Sequence, residues 1–227
     1  MKVILTGATG MVGEGVLFEC LENRAVTGVL IIGRRNYDLE HPKLKQLVLK
    51  NFSEIKNHSD LLKNYDGCFF CAGVSSVGEN EESFTRKTYD FAVPFAKALS
   101  EINPEMTFIY VSGNRTDSSE KGKVMWARVK GRTENALMKL PFKGQYNFRP
   151  AIMTGTKGQK NVKTIYKILG PLMSPFLSAK TLKLSEVGKA MINAVSEGYS
   201  KQILEADDIF DLSKNMQSGT HQKNSIA

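Results

Sequence analysis

The sequence predicts an α/β fold, a doubly wound parallel sheet followed by a small C-terminal lobe. Three observations carry it. A short apolar run, Val3 to Leu5, breaks into the evenly spaced glycines Gly7, Gly10 and Gly13 and then into a helical stretch, Glu14 to Leu21. Apolar runs of strand length then alternate with longer helical or polar stretches, five runs in all before residue 112, the pattern of consecutive βα units. The 227 residues, 41% of them hydrophobic, suffice for one large domain with its own core. That domain is expected to span 1–212, with about 151–212 forming the lobe. Residues 213–227 are polar and aperiodic and read as a flexible tail.

The elements follow in order. Val3 to Leu5 is the first strand, and the glycine turn leads into the first helix. Gly28 to Gly33 is the second strand, and Gln46 to Leu49 a shorter third. A helix is expected from Asp60 to Asn64, and a fourth strand from Cys68 to Cys71 that closes on Ala72-Gly73. A polar loop, Val74 to Glu82, precedes a helix over Thr85 to Ser100, with Tyr89, Val93, Ala96 and Leu99 near one face. Phe108 to Val111 is the fifth strand, ending in Ser112-Gly113. After the polar loop Asn114 to Gly122, Met125 to Leu140 forms a helix on which Trp126 and Lys130, four apart, share a face. Tyr146 to Arg149 is a sixth strand, stopped by Pro150.

Beyond it the pattern loosens. Val162, Ile165, Ile168 and Leu169 suggest a helix ended by Gly170-Pro171. Leu172, Met173, Phe176 and Leu177 form an apolar patch flanked by Lys163, Lys167, Lys180 and Lys183; it reads as a lid, core, a dimer contact or a membrane-surface contact. Ser185 is expected to cap a helix that ends near Gly198, Ile203 to Glu205 to form a short strand, and Asp208 to cap a last helical turn.

The net charge of +8 raises the question of anionic partners. The lysines are scattered, as at Lys43, Lys45, Lys50, Lys56 and Lys63, with no basic arm interleaved with aromatics. Nucleic acid is therefore not an expected partner. No apolar stretch approaches the roughly 20 residues that span a bilayer, and the N-terminal apolar run is too short for a signal peptide, so a cytoplasmic protein is expected. Cys68 and Cys71 have C-x-x-C spacing, but residues three apart on a strand point to opposite faces. They read as buried, reduced thiols together with Cys20. His41, His58 and His221 have no ligand spacing, so no metal is expected.

The glycine turn carries the functional reading. A strand that turns through glycines into a helix presents unpaired N–H groups and the positive end of the helix dipole. Together these form an anion site that a pyrophosphate can approach closely. Ligands in such sheets lie at the carboxyl ends of the strands, so Gly7, Gly33, Asn51, Ala72 and Ser112 should rim one cleft. At the end of the second strand, where an acid would hold the ribose 2′-hydroxyl of NAD, stand Arg34 and Arg35. Arginine forks suit a 2′-phosphate. NADP is therefore expected over NAD.

Four segments stand together in order: Thr6-Gly7-Ala8-Thr9-Gly10-Met11-Val12-Gly13, Ile32-Gly33-Arg34-Arg35, Ser112-Gly113, and Trp126-Ala127-Arg128-Val129-Lys130-Gly131. With them the chain resembles the short-chain dehydrogenase/reductase superfamily over about residues 1–200. It is most similar to the atypical branch of epimerase/dehydratase-like and Tat-interacting-protein-like oxidoreductases. The resemblance implies a Rossmann fold, an NADP site and hydride transfer between carbonyl and alcohol. The implied cofactor-binding set is Gly7, Thr9, Gly10, Met11, Val12, Gly13, Arg34, Arg35, Asn51, Phe52, Cys71, Ala72, Gly73, Lys130, Pro150 and Ile152. At Asn51 the family often carries Asp beside adenine; an amide can still bond the adenine amino group.

The resemblance also implies a catalytic set. Ser112 matches the serine that orients the carbonyl, and Lys130 the lysine that holds the nicotinamide ribose. Trp126 stands where the family has its proton-transferring tyrosine. An indole N–H donates a hydrogen bond but exchanges no proton near neutral pH. None of Tyr37, Tyr65, Tyr89, Tyr110, Tyr146, Tyr166 and Tyr199 is followed four residues on by lysine. Two readings stay open: an oxidoreductase on a small carbonyl or alcohol, and a non-catalytic NADP-binding sensor or interaction protein. A third is a peripheral membrane or nucleic-acid binder, whose affinity would fall steeply with salt.

Overall fold

The computed structural model describes residues 1–156, 158–160 and 181–214. The expected helix over 162–169, the apolar patch at 172–177 and the tail from 215 onward lie outside the described residues.

Seven parallel strands form one sheet. They are β1 (Lys2–Thr6), β2 (Gly28–Gly33), β3 (Leu44–Val48), β4 (Gly67–Phe70), β5 (Thr107–Val111), β6 (Gly144–Arg149) and β9 (Ile203–Glu205). Their order across the sheet is β3-β2-β1-β4-β5-β6-β9. The order reverses at β1, which places a crevice at its carboxyl end between β1 and β4. β7 (Ile152–Thr154) and β8 (Thr181–Lys183) make a separate parallel pair that the sequence did not signal.

Helices cover both faces. Alternation along each strand feeds two cores: Val3 and Leu5 join one, Ile4 the other. The first core lies under α1 (Met11–Glu22), α5 (Leu184–Glu197) and α6 (Ala206–Leu212), with Val16, Leu17, Val187 and Met191 fully buried. The second lies under α2 (Ser59–Leu62), α3 (Glu81–Ile102) and α4 (Met125–Leu137). There Phe52, Phe70, Phe91, Phe95 and Phe108 form a chain of tilted ring contacts. Cys68 belongs to this second core while Cys71 packs against the first, so the two thiols lie on opposite faces of the sheet. Burial pushes the Cys71 thiol up to about 12, so it is inert at neutral pH.

Several boundaries differ from the sequence reading, each for a local reason. β3 begins at Leu44 because the edge strand pairs from Val29↔Leu44 onward, although Lys45 and Gln46 interrupt its apolar residues and none of its side chains is buried. α3 begins at Glu81, four residues early, because the Asn80 side chain accepts from the Ser83 N–H at 2.8 Å. The helix expected over Asp60 to Asn64 is present as the short α2, Ser59–Leu62, and a 3-10 turn over Phe52–His58 that the sequence reading lacks leads into it. α4 ends at Leu137 and β6 begins at Gly144. Ser185 lies inside α5 rather than capping it; Lys183 is the cap, and its N–H donates to Glu186. Asp208 is not a cap either: it accepts from the cap residue Glu205 at 3.1 Å. No helix among the described residues is long and apolar enough to cross a membrane.

Candidate dinucleotide site

Because every strand of the large sheet is parallel, Gly7, Arg34, Asn51, Ala72, Ser112 and Pro150 all fall at the same edge. At its centre the glycine turn is tight. Gly7 has φ +76°, and a Cβ there would meet Ala72 N at 2.6 Å and Cys71 O at 2.7 Å. The N–H of Gly10 closes the turn on Gly7 O at 2.9 Å. A Cβ on Gly13 would overlap Gly7 O outright, so the helix can seat this close to the strand only with glycine. Thr6 Oγ1 accepts from Ala72 N at 3.3 Å and ties the ends of β1 and β4 together.

Gly10 is the N-cap of α1 and supplies no side chain to cap it. Thr9 and Gly10 are exposed, and Met11 and Val12 half-exposed. An uncapped helix start behind a glycine cradle is what a diphosphate requires, so these residues fit a dinucleotide. Gln159, not anticipated from the sequence, reaches back to the same turn: its Nε2 donates to Met11 O at 2.8 Å.

The ends of β2 and β3 form the next part of the rim. Arg34 and Arg35 are exposed. Arg34, Lys50, Asn51, Phe52 and Asp90 line a cleft of about 290 Å³ there. Asn51 Oδ1 caps the 3-10 turn by accepting from Ser53 N at 3.0 Å. Phe52 is buried and wedged against α3, its ring centroid 4.7 Å from that of Phe91. Cys71 and Ala72 are half-buried and Gly73 exposed. Pro150 is buried at the end of β6, and Ile152 half-buried at the start of β7.

On the opposite side α4 brings Lys130 to the end of β5. Trp126 is half-buried in the first turn. Lys130 Nζ donates to Ser112 O at 2.5 Å. Ser112 itself is buried, and its hydroxyl donates to Glu134 Oε1 at 2.5 Å and stands 3.2 Å from Phe148 O. Glu134 is fully buried and paired with Arg149, whose Nε donates to Oε1 at 3.0 Å and whose Nη2 donates to Oε2. Arg149 also holds Ser118 Oγ at 2.6 Å and Glu205 at 3.2 Å. This network, which the sequence did not reveal, fixes the loop after β5 against β6 and β9.

Burial lowers the Lys130 ammonium to about 8, with nearby Glu134 opposing the shift. The unfolded chain keeps the ordinary lysine value near 10.5. Between about 8 and 10.5 the unfolded state therefore binds the extra proton, and Lys130 makes stability rise with pH across that window. Methyl NMR of isotope-labelled dimethyl-lysine is expected to show one resonance titrating near 8 that disappears in Lys130→Met. A midpoint near the ordinary lysine value would show that the amine is solvated.

The model of the NAD dependent epimerase/dehydratase family matches residues 3–122. Protein HTATIP2 of Rattus norvegicus is 25% identical over 221 residues, covering 94% of this chain and 90% of that protein. Protein fmp52, mitochondrial, of Emericella nidulans is 25% identical over 205 residues, covering 85% and 86%. Among solved structures, the Bordetella bronchiseptica enzyme WbmH, in complex with NAD+, superposes with a TM-score of 0.65 at 17% identity, covering 90% of this chain and 74% of that one. That likeness is one of fold.

Proposed function

The chain belongs to the NAD dependent epimerase/dehydratase family, and we propose that this protein binds NADP(H) and holds it without the tyrosine-based proton transfer of related enzymes. The observation that carries the reading is the cleft at the ends of β2 and β3. Arg34 and Lys50 line it, and Arg34-Arg35 occupy the place where an NAD site would have an acid. Two guanidinium forks and an ammonium suit a 2′-phosphate, and they outnumber Asp90, the acid that lines the same cleft. The glycine turn and the open start of α1 would take the diphosphate. Lys130 would hold the nicotinamide ribose.

Bound NADPH supplies a hydride, and carbonyl reduction then needs a proton and an oriented oxygen. Trp126 provides no proton, and the Ser112 hydroxyl is committed to Glu134. This favours binding, as a sensor of the nucleotide or as an interaction protein, over turnover. One observation favours the second reading, an oxidoreductase on a small carbonyl. Lys130, lowered to about 8, can give up a proton near neutral pH and could replace the tyrosine as donor.

Titration with NADPH and NADH, followed by quenching of the single tryptophan, Trp126, tests the proposal. Tight NADPH binding with strong quenching is expected. Replacing Arg34 and Arg35 together by Ala should weaken NADPH by about a hundredfold, two charge-assisted contacts at about 1.4 kcal/mol each, and NADH little. Equal losses for both nucleotides would remove the 2′-phosphate reading. Binding of neither nucleotide by the unsubstituted protein would remove the proposal altogether.

A further inference from the structure

Arg34, Arg35 and Asn36 form an exposed turn, yet Tyr37, next in the chain, is only 9% exposed. Both polar groups of its backbone are held by one side chain from the edge strand. Tyr37 N–H donates to Gln46 Oε1 at 2.8 Å, and Gln46 Nε2 donates back to Tyr37 O at 2.9 Å. The Tyr37 ring enters the core beneath α1, and its hydroxyl donates to Glu14 Oε1 at 2.7 Å. Glu14 is fully buried in the first turn of α1, directly after Gly13. A continuous set of bonds thus runs from the glycine turn through Glu14 and Tyr37 to the arginine turn, and on to β3.

We propose that Tyr37 and Gln46 are positioning residues for nucleotide selectivity, fixing the Arg34-Arg35 turn at the distance from the glycine turn that a 2′-phosphate on the same dinucleotide requires. The inference rests on the NADP reading above. Arginine side chains on an untethered loop lose conformational freedom on binding, which reduces affinity. Tethering the residue that follows them limits where their backbone can be. Gln46 is solvent-exposed and pairs in register with Ile31, so no core demand explains its clamp on Tyr37. A purely structural role for the clamp would affect both nucleotides alike. A positioning role changes the NADPH-to-NADH preference.

The test is calorimetric titration of the full chain with each nucleotide. Gln46→Met keeps the bulk and loses both bonds; Tyr37→Phe loses the bond to Glu14. Each is expected to weaken NADPH about tenfold, about 1.4 kcal/mol, while NADH changes by less than about twofold; the thermal midpoint of Gln46→Met falls as the Tyr37 backbone loses its partners, and the NADPH-to-NADH ratio is the reading that decides. Because Gln46 is on the surface, its variant tests the idea even if Tyr37→Phe fails to fold. An unchanged NADPH-to-NADH ratio in Gln46→Met overturns the inference, whether both affinities fall together or neither moves. The Arg34→Ala, Arg35→Ala double variant separates the two levels. If it loses the preference and Gln46→Met keeps it, only the positioning role fails. If the double variant keeps it, the 2′-phosphate reading fails as well.

Discussion

Gly10→Asp is expected to abolish dinucleotide binding while the protein stays folded. Gly10 has φ −99° and ψ 161°, extended backbone open to any residue. A Cβ there would meet only Gly7 O within 4 Å, at 3.3 Å, a contact that a few tenths of an ångström relieve. Aspartate is also a favourable helix cap, so the folded state loses little. The binding site loses twice. The carboxylate would accept from the N–H of Val12 or Gly13, the groups a diphosphate needs, and it would set a negative charge against the diphosphate. Like charges about 4 Å apart at an effective dielectric near 20 repel by about 4 kcal/mol, roughly a thousandfold in affinity. Calorimetric titration with NADPH, paired with a thermal melt, checks both halves. Undiminished affinity in a folded variant would remove the diphosphate from this turn. Gly13 is a poorer probe, because a Cβ overlapping Gly7 O would disturb the turn itself and mix folding with binding.

The sheet is legible because its signals are local. Val3 to Leu5, Gly28 to Gly33 and Phe108 to Val111 are apolar runs of strand length, and parallel strands with crossovers fix which ends share an edge. That rule alone gathers Gly7, Arg34, Asn51, Ala72 and Ser112 at one edge. The sequence reading begins α3 at Thr85, although Asn80 followed by Glu81 and Glu82 carries the cap and acidic first turn that mark its actual start. β3 is harder, since on this exposed edge strand Lys45 and Gln46 separate Leu44 from Leu47 and Val48 and break the apolar run.

The interior of the site carries no such signal. Ser112 meets Glu134 across 22 residues, Arg149 meets Glu205 across 56, and Gln159 meets Met11 across 148. Such bonds depend on where the fold brings side chains, and no periodicity encodes them. The consequence is chemical. Motif order alone presents Ser112 as a group facing the substrate, whereas its hydroxyl belongs to the buried Glu134–Arg149 pair. A buried carboxylate left with fewer donors is costly, which holds the hydroxyl where it is.

That difference sets the expected size of the last result. Trp126→Tyr should raise NADPH-dependent reduction of reactive aldehydes by about 10² to 10⁴, the contribution of a positioned general acid. The introduced phenol would stand four residues before Lys130 on the same face of α4, and the ammonium beside it would favour the phenolate. The substitution trades one half-buried aromatic for a smaller one, so the fold should tolerate it. The gain stops short of full activity, because the Ser112 hydroxyl remains with Glu134 and does not orient the carbonyl. Trp126→Phe separates the proton donor from the loss of indole bulk: it makes a similar space without an acid, and no gain is expected from it. Equal gains in the two variants would mean that the indole had merely blocked the pocket. No gain in Trp126→Tyr, with NADPH still bound, would place residue 126 away from the nicotinamide and leave the sensor or interaction reading standing alone.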